Sequence, residues 1–332
     1  MLLLSIGTAS VSLFFNNITT VVLVGPITIL ITELLGLPAT PFLMAQALLS
    51  DTADVGTSVG DPASVLIATA SGYSFTDFLT HSMPIVLVAA VITLVMLRFL
   101  FSKELAMRPE NPEAILNLDA NSALKNNRTL RKVLIVLLVT ITLFVFQREI
   151  ELSPGFIALA GAALALVCVR PDIHEVIQRI DFAVLLFFVG LFMLVGGLEA
   201  AGVFEPIAKS LAGLGHENPV LLDVAIIWVV DSLSALVDNV PVTIAMISVI
   251  EGLRATGVDV SALWWAVVLG AGFGGNATSI GSGANIVIVS LSQRTNSPIT
   301  PAIWSRKGLP IAIATTIAGS IIFVLAFPFL GR

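Results

Sequence analysis

The feature of this sequence that most constrains its fold is a series of long apolar runs. Each has roughly the length, about 17–25 residues, that an α-helix needs to cross a bilayer. They lie near residues 18–35, 83–101, 130–147, 154–170, 181–201, 220–236, 241–255 and 308–329. Only 11% of the 332 residues are charged, against roughly 25% in soluble domains. The sequence therefore predicts an all-α polytopic membrane protein in the plasma (inner) membrane, with the lipid bilayer as a partner.

Several classes of function are excluded by composition and by missing motifs. The net charge of -6 and the lack of a basic patch argue against nucleic acid as a partner. The single cysteine, Cys168, excludes a disulfide within the chain and a cysteine-based metal cluster. No phosphate-binding loop, nucleophile elbow or zinc spacing occurs. We therefore expect no enzyme, no bound metal and no cofactor, but a small ion or small-molecule substrate; a homodimer is left open.

Two further apolar stretches, 41–71 and 262–291, carry polar residues and glycines at their centres. Their orientation follows from the basic residues. No Lys or Arg precedes Arg98, whereas Lys and Arg cluster in and around the polar linker 102–129. The positive-inside rule makes this linker cytoplasmic. Counting helices from there requires 262–291 to enter and leave on one side, so we predict that both stretches are re-entrant hairpins.

An internal repeat relates the two halves of the chain. In each copy a polar pair, Asn16-Asn17 or Asp238-Asn239, is followed about 40 residues later by T-S-V-G or T-S-I-G. The copies enter the membrane from opposite sides, and each polar pair is predicted to interrupt a helix. Inverted repeats with broken helices are typical of secondary transporters. We expect a first repeat over 1–101 with hairpin 41–71, and a second over 130–332 with hairpin 262–291.

The two copies differ in length. The second has three predicted helices over 130–201 before its polar pair, and the first has almost nothing before Asn16. By internal symmetry we expect the first repeat to be truncated at its N-terminus, either in the chain or in the gene model.

Three carboxylates, Asp51, Asp54 and Asp61, fall within one short stretch. An aspartate at the bilayer centre costs about 3 kcal/mol or more if it faces lipid. These side chains must therefore face water, an ion or hydrogen-bond donors. A carboxylate in such a place can exchange a proton for a cation. The alternative is that some of the three lie in a loop outside the membrane.

Neutral polar side chains of the same segments add oxygens suited to a hard cation. The candidate residues are Asn16, Asn17, Ser50, Thr57, Asn239, Asn276, Thr278, Ser282 and Asn285, together with the acidic Asp238. Any single Ser or Thr could serve helix packing alone, by bonding to a backbone carbonyl. The clustering of these residues is what favours an ion-binding or substrate-binding site.

Five motifs resemble those of a known group of membrane proteins. They are F-N-N-I-T-T at 15–20, G-D-P at 60–62, D-F-A-V-L-L-F-F at 181–188, V-D-N-V-P at 237–241 and G-G-N-A-T at 274–278. The chain resembles the ion transporter superfamily: ArsB-type arsenite efflux permeases, NhaD-type sodium/proton antiporters, the melanosomal P protein and citrate-transporter-like permeases. The resemblance implies that both hairpins and both polar pairs meet at the transport site. It also implies further N-terminal helices.

The chain departs from the family pattern in the stretch 50–64. Asp51 stands where the family has Asn, Asp54 where it has Gly, and Ser64 where it has a final Asn. The extra carboxylates favour a cation or a proton in the site. We expect Asp51 to lie opposite Asn276 in the inverted repeat.

The sequence thus predicts a secondary active transporter coupled to protons or sodium, performing cation/proton antiport or arsenite export. One alternative is a carrier of di- or tricarboxylates or other anions, although no Lys or Arg lies within a hairpin or polar pair. A second alternative is an inactive, truncated homologue that acts as a membrane scaffold.

Overall fold

The computed structural model describes residues 1–109, 113, 127–178, 180 and 182–330, and in these the regular secondary structure is helical. The main helices are α1 (Leu2–Ser12), α2 (Asn17–Leu34), α3 (Thr40–Asp54), α4 (Pro62–Ser71), α5 (Phe75–Leu100), α6 (Asn127–Val145), α7 (Pro154–Val169), α8 (Phe182–Ala200), α9 (Phe204–Glu217), α10 (Pro219–Leu236), α11 (Asn239–Ala255), α12 (Ser261–Gly274), α13 (Gly283–Ser292) and α14 (Pro301–Leu330). Short helices occupy Ser102–Leu105, Gln147–Ile150 and Ile173–Gln178, and a 3-10 turn occupies Gly275–Ala277.

The helices fit the prediction of a polytopic membrane protein. Within the described ranges, α2, α5, α10 and the Pro301–Ala326 part of α14 are long and apolar enough to cross a membrane. Leu185–Ala200 and Phe204–Glu217 form a further candidate span, bent by 70°. Every apolar run predicted from the sequence contains a helix. Helix α9 was not predicted, because Glu205, Lys209 and His216 interrupt its apolar pattern.

Local sequence signals explain where many helices begin. Ser74 and Asp77 form a capping box at the start of α5. Asn218 caps α10 through a hydrogen bond from the Leu221 amide, and Pro219 follows at the first helical position. Ser153 caps α7 in the same manner.

Helix α5 defines the two sides of the protein. Its 26 residues correspond to about 39 Å, enough to cross a bilayer. Just before its start, the Tyr73 hydroxyl donates to the Ser261 carbonyl at 2.8 Å. At its other end, Lys307 Nζ donates to the Leu100 carbonyl. We refer to these two sides as the Phe75 end and the Leu100 end.

Helices α10 and α11 form a re-entrant hairpin whose turn is the polar pair Asp238-Asn239. Side chains of Leu222, early in α10, and Val258, just after α11, both lie close to Gly215. Two helices of 18 and 17 residues can bring these positions together only if the chain reverses. The polar pair therefore marks a reversal of direction, and not the interrupted helix that we expected.

Helices α1 and α2 form the matching hairpin at the opposite side. Met1 packs against the buried cluster that contains Leu97 and Phe101. At the end of α2, Glu33 lines the same pocket as Glu104. Both open ends of this hairpin therefore lie at the Leu100 end, and its turn is Asn16-Asn17.

The stretches 41–71 and 262–291 cross the protein as broken helices, where we expected hairpins. Helix α12 begins at Ser261, at the Phe75 end. Beyond α13, the Ser297 carbonyl accepts a hydrogen bond of 2.7 Å from Thr40 Oγ1, and Ile299 belongs to the cluster of the Leu100 end. The pair α12–α13 thus runs from one end to the other, and α3–α4 runs the opposite way. The helix count based on the positive-inside rule placed the chain reversals in 41–71 and 262–291. This was wrong because the count treated each polar pair as part of a helix that crosses the membrane.

The first halves of the two broken helices, α3 and α12, are buried along nearly their whole length. Every residue of α12 from Ala262 to Gly274 is buried, and so is every residue of α3 from Leu43 to Asp54. The breaks that follow these helices are therefore held in the protein interior. The division into a first repeat (1–101), a linker (102–129) and a second repeat (130–332) stays a prediction. Residues 110–112 and 114–126 of the linker lie outside the described residues.

Candidate functional site

Four helices begin around one pocket of about 460 Å³. They are α2, α4, α11 and α13, two from each repeat. The lining residues are Asn16, Asn17, Ile18, Thr19, Asp61, Pro62, Ile180, Leu185, Phe187, Phe188, Asp238, Asn239, Val240 and Gly283. The first amides of a helix lack intrahelical partners and lie at the positive end of its dipole. The pocket therefore collects backbone N–H groups that can hold an oxygen ligand.

Four of the predicted residues are the N-caps of these helices. Asn16 Oδ1 accepts from the Ile18 amide at 2.9 Å, and Asp238 Oδ1 accepts from the Val240 amide at 3.1 Å. On the broken helices, Asp61 Oδ2 accepts from the amide of residue 63 at 2.9 Å and Ser282 Oγ from that of residue 284 at 3.2 Å. Each cap satisfies one free helical donor and fixes where its helix begins.

The hydrogen bonds repeat from one half of the chain to the other. Thr57 Oγ1 donates to the carbonyl of residue 13 at 2.5 Å, and Thr278 Oγ1 donates to that of residue 235 at 2.5 Å. Ser12 donates to the carbonyl of residue 50 at 3.1 Å, and Ser234 donates to that of residue 271 at 2.8 Å. The sequence prediction missed Ser12 and Ser234. Their signal is that each lies four residues before a polar pair.

The same correspondence makes Asn17 equivalent to Asn239, and Asp61 equivalent to Ser282. Asn239 Nδ2 donates to Asp61 Oδ2 at 3.1 Å. Asn17 Nδ2 lies 3.5 Å from Ser282 Oγ. The hairpin of each repeat is thus bonded to the broken helix of the other repeat.

Asp51 adds a carboxylate to the second of these contacts. It is 3% exposed, and its Oδ1 accepts from Asn17 Nδ2 and from Ser282 Oγ, both at 2.7 Å. Its Oδ2 is buried and has no hydrogen-bond partner. Each cross-repeat contact therefore contains one carboxylate, supplied by Asp61 on one side and by Asp51 on the other.

Asp54 is 1% exposed, and neither of its carboxylate oxygens has a hydrogen-bond partner. It lies at the end of α3, where the second repeat has Gly275. No Lys or Arg is among the residues that line the pocket. In the described ranges, the ion pairs are Arg148–Asp77, Lys209–Glu205 and Arg254–Glu251. The buried aspartates therefore lie outside these ion pairs.

Asn276 and Asn285 stabilise the break between α12 and α13. Asn276 Nδ2 donates to Thr52 Oγ1 at 3.0 Å and to the Leu48 carbonyl at 3.3 Å. Asn285 Nδ2 donates to carbonyls on both sides of the break, at 2.8 and 3.0 Å. Both amide oxygens are buried without a partner. The repeat pairs Asn276 with Val55, and not with Asp51 as we expected; Asp51 corresponds to Gly272.

The predicted residues thus fall into two groups. Those that line the pocket are Asn16, Asn17, Asp61, Asp238 and Asn239. Those buried in or beside the breaks are Ser50, Asp51, Asp54, Thr57, Asn276, Thr278, Ser282 and Asn285; of these only Thr278 is part-exposed. Among the described residues, no group of three or more His, Cys, Asp or Glu side chains could hold a metal ion. A role of either group in ion or substrate binding stays a prediction.

Two inverted hairpins and two broken helices that meet at a polar pocket are an arrangement found in membrane transporters. Comparison with known proteins agrees. The profile of the citrate transporter family matches residues 1–270, so this chain belongs to that family and is a multi-pass membrane transporter.

Curated relatives are similar along nearly the whole chain. A 46 kDa membrane protein of Mycobacterium leprae is 33% identical over 316 residues, which are 94% of this chain and 74% of the relative. An uncharacterized transporter of Mycobacterium tuberculosis is 31% identical over 330 residues, 98% of this chain and 77% of its own. The human P protein is 24% identical in an alignment of 412 positions, gaps included, which covers 99% of this chain and 49% of its own.

Proposed function

We propose that this protein is a secondary active transporter coupled to protons or sodium. The observation that carries the proposal is the pair of buried carboxylates, Asp51 and Asp54, with three oxygen atoms that lack a hydrogen-bond partner. An uncompensated charge inside a membrane costs about 3 kcal/mol or more. Such groups are neutralised by binding a proton or a small cation, which is the event that a coupled carrier needs.

Asp51 is well placed to link ion binding to movement. Its Oδ1 bonds both to Asn17 at the tip of the first hairpin and to Ser282 in the second broken helix. A proton or cation bound at Oδ2 lowers the negative charge on Oδ1 and weakens both charge-assisted bonds. Ion binding therefore changes the contact between the two repeats.

The first candidate reaction is cation/proton antiport, because a proton and a cation compete for one carboxylate. Arsenite export rests on the family resemblance alone, since no feature of the pocket favours an arsenic oxyacid over other small solutes.

The second candidate is transport of a small carboxylate. Two observations favour it: four helix N-termini surround the pocket, and the family is described as a citrate transporter family. In the absence of Lys or Arg in the lining, backbone amides and the amides of Asn17 and Asn239 would bind the substrate. A co-transported cation would offset the charges of Asp61 and Asp238.

Flux measurements on the purified full chain in liposomes test the proposal. Sodium, protons, citrate and arsenite are offered separately under imposed pH and sodium gradients. We expect at least one solute to move in response to the gradient of another. The matched control is D51N/D54N, which keeps the size of both side chains. A wild-type protein that moves none of the four solutes would instead support the membrane-scaffold alternative. For such a scaffold, the property left to test would be the homodimer that the sequence leaves open.

A further inference from the structure

A carboxylate outside the pocket, Asp231, lies in helix α10, the first helix of the re-entrant hairpin α10–α11. It is 7% exposed, and its Oδ1 accepts a hydrogen bond of 2.5 Å from Thr316 Oγ1 on α14. In the part of the chain that the structure describes, Asp231 is in none of the ion pairs. An acidic side chain buried at membrane depth without a cationic partner points to a functional position.

The fold itself does not require a carboxylate here. The spacing that pairs Ser234 with Ser12 pairs Asp231 with Ala9 on α1. Helix α1 packs on α3 as α10 packs on α12. The same helix packing is therefore achieved in the first repeat with a small apolar side chain.

The surroundings of Asp231 are suited to a proton and not to a metal ion. Thr316 supplies one hydroxyl, and the buried Ser320 hydroxyl, one turn further along the same face of α14, has no partner. Hard cations such as calcium take about 6–8 oxygen ligands, and among the described residues no group of three or more His, Cys, Asp or Glu side chains could hold a metal ion. Protonation neutralises the carboxyl group without further ligands.

Asp231 is also in direct contact with the break in the second repeat. A Cβ atom at Gly274 would lie 2.6 Å from the Asp231 Cα atom. Gly274 is the last residue of α12, just before the break. A change in the charge of Asp231 therefore acts directly at the break between α12 and α13.

We propose that Asp231 and Thr316 form a proton-binding site separate from the pocket. In its protonated form the carboxyl group is neutral and retains the Thr316 hydrogen bond at Oδ1. Loss of the proton places a charge between α10 and α14, next to Gly274. This site then adds a pH-dependent contribution to the position of the broken helix.

The other charged groups on the neighbouring helices either belong to ion pairs or are separated from Asp231 and Thr316 along the chain by at least seven residues. Helix α12 and the 3-10 turn have none. Arg306 and Lys307 on α14 precede Thr316 by about 14 Å of helix. The rest are Asp223 on α10, Asp238 at the start of α11, Glu205, Lys209, His216 and Glu217 on α9, and Glu251 and Arg254 on α11. Of these, Lys209 pairs with Glu205 and Arg254 pairs with Glu251.

Infrared spectroscopy of the purified full chain in lipid, titrated over pH, tests the site without any transport measurement. We expect the wild type to show a carbonyl band of a protonated carboxylic acid that D231N lacks, in addition to any bands from Asp51 and Asp54, which the two proteins share. The matched control is D259N. Hydrogen bonds from the Ser261 amide and hydroxyl lower the pKa of Asp259, so this surface carboxylate is ionised at neutral pH and D259N keeps the band.

A second variant guards against misfolding of D231N. T316V keeps the carboxyl group and removes its hydroxyl partner. The band should persist in T316V and move to higher frequency, because the carbonyl oxygen loses a hydrogen bond. Spectra of D231N and wild type that coincide at every pH overturn the proposal. A band that does not move in T316V overturns the pairing with Thr316.

Discussion

Asn17 and Asn239 occupy equivalent positions in the two repeats, and each extends its side-chain amide to the cap of the opposite broken helix. Asn239 Nδ2 lies 3.1 Å from Asp61 Oδ2, and Asn17 Nδ2 lies 3.5 Å from Ser282 Oγ. The second contact is longer because the same amide also donates to Asp51 at 2.7 Å. The two halves of the protein are thus joined at the site by polar contacts that can change when an ion binds.

The first prediction concerns Asp51. Asp51→Asn keeps the shape of the side chain and both bonds at Oδ1 but cannot exchange a proton. We expect transport to persist within about tenfold of the wild-type rate, because weakening these hydrogen bonds costs about 1–2 kcal/mol. The pH profile of transport should flatten or shift. An unchanged profile would make Asp51 a bystander, and Asp54→Asn is then the next variant to measure.

The second prediction uses the symmetry of the two caps. Ser282 corresponds to Asp61, and Asp51 supplies the carboxylate that Ser282 lacks. The double variant D51N/S282D moves that carboxylate to the cap itself. We expect it to recover the pH dependence lost in D51N, measured as the transport rate against pH. A double variant that behaves like D51N would show that the position of Asp51, and not just its charge, is required.

The third prediction concerns stability. Ser12→Ala and Ser234→Ala each remove a buried hydrogen bond between a hairpin and a broken helix. Each should lower the free energy of unfolding by about 0.5–1.5 kcal/mol. Ser10→Ala is the control, because Ser10 is exposed and bonds only within α1. Thermal unfolding in detergent compares the three variants; equal midpoints in all of them would contradict the assigned roles.

Much of this architecture could be predicted from sequence, because the bilayer sets the length of the apolar helices and confines polar interruptions to the protein interior. The repeat and its polar pairs were also visible in the spacing of residues. What could not be predicted was which interruption reverses the chain. Both Gly60-Asp61 and Asp238-Asn239 break a helix, and only contacts such as that of Gly215 with Val258 distinguish a reversal from a crossing. Cross-repeat pairs such as Asn239 with Asp61 depend on that geometry.

The fourth prediction concerns orientation. If the basic linker makes the Leu100 end cytoplasmic, Asp259 faces outward and Asn296 faces the cytoplasm. In a Cys168→Ala background, D259C should react with an impermeant thiol reagent in intact cells, and N296C only after permeabilisation. The reverse pattern would invert the orientation. Reaction of both from one side would contradict the crossing of α12–α13.

The most direct test of the central claim is proton movement in liposomes that contain a pH-sensitive dye. Sodium or citrate is added outside the vesicles, and the internal pH is followed. We predict that the wild-type protein changes the internal pH, or the internal sodium concentration reported by a second dye, when the transported solute is added, and that D51N/D54N does so at a fraction of that rate. A wild-type protein that transports solute with no proton or sodium movement, or a double variant as fast as wild type, would contradict coupling through these carboxylates.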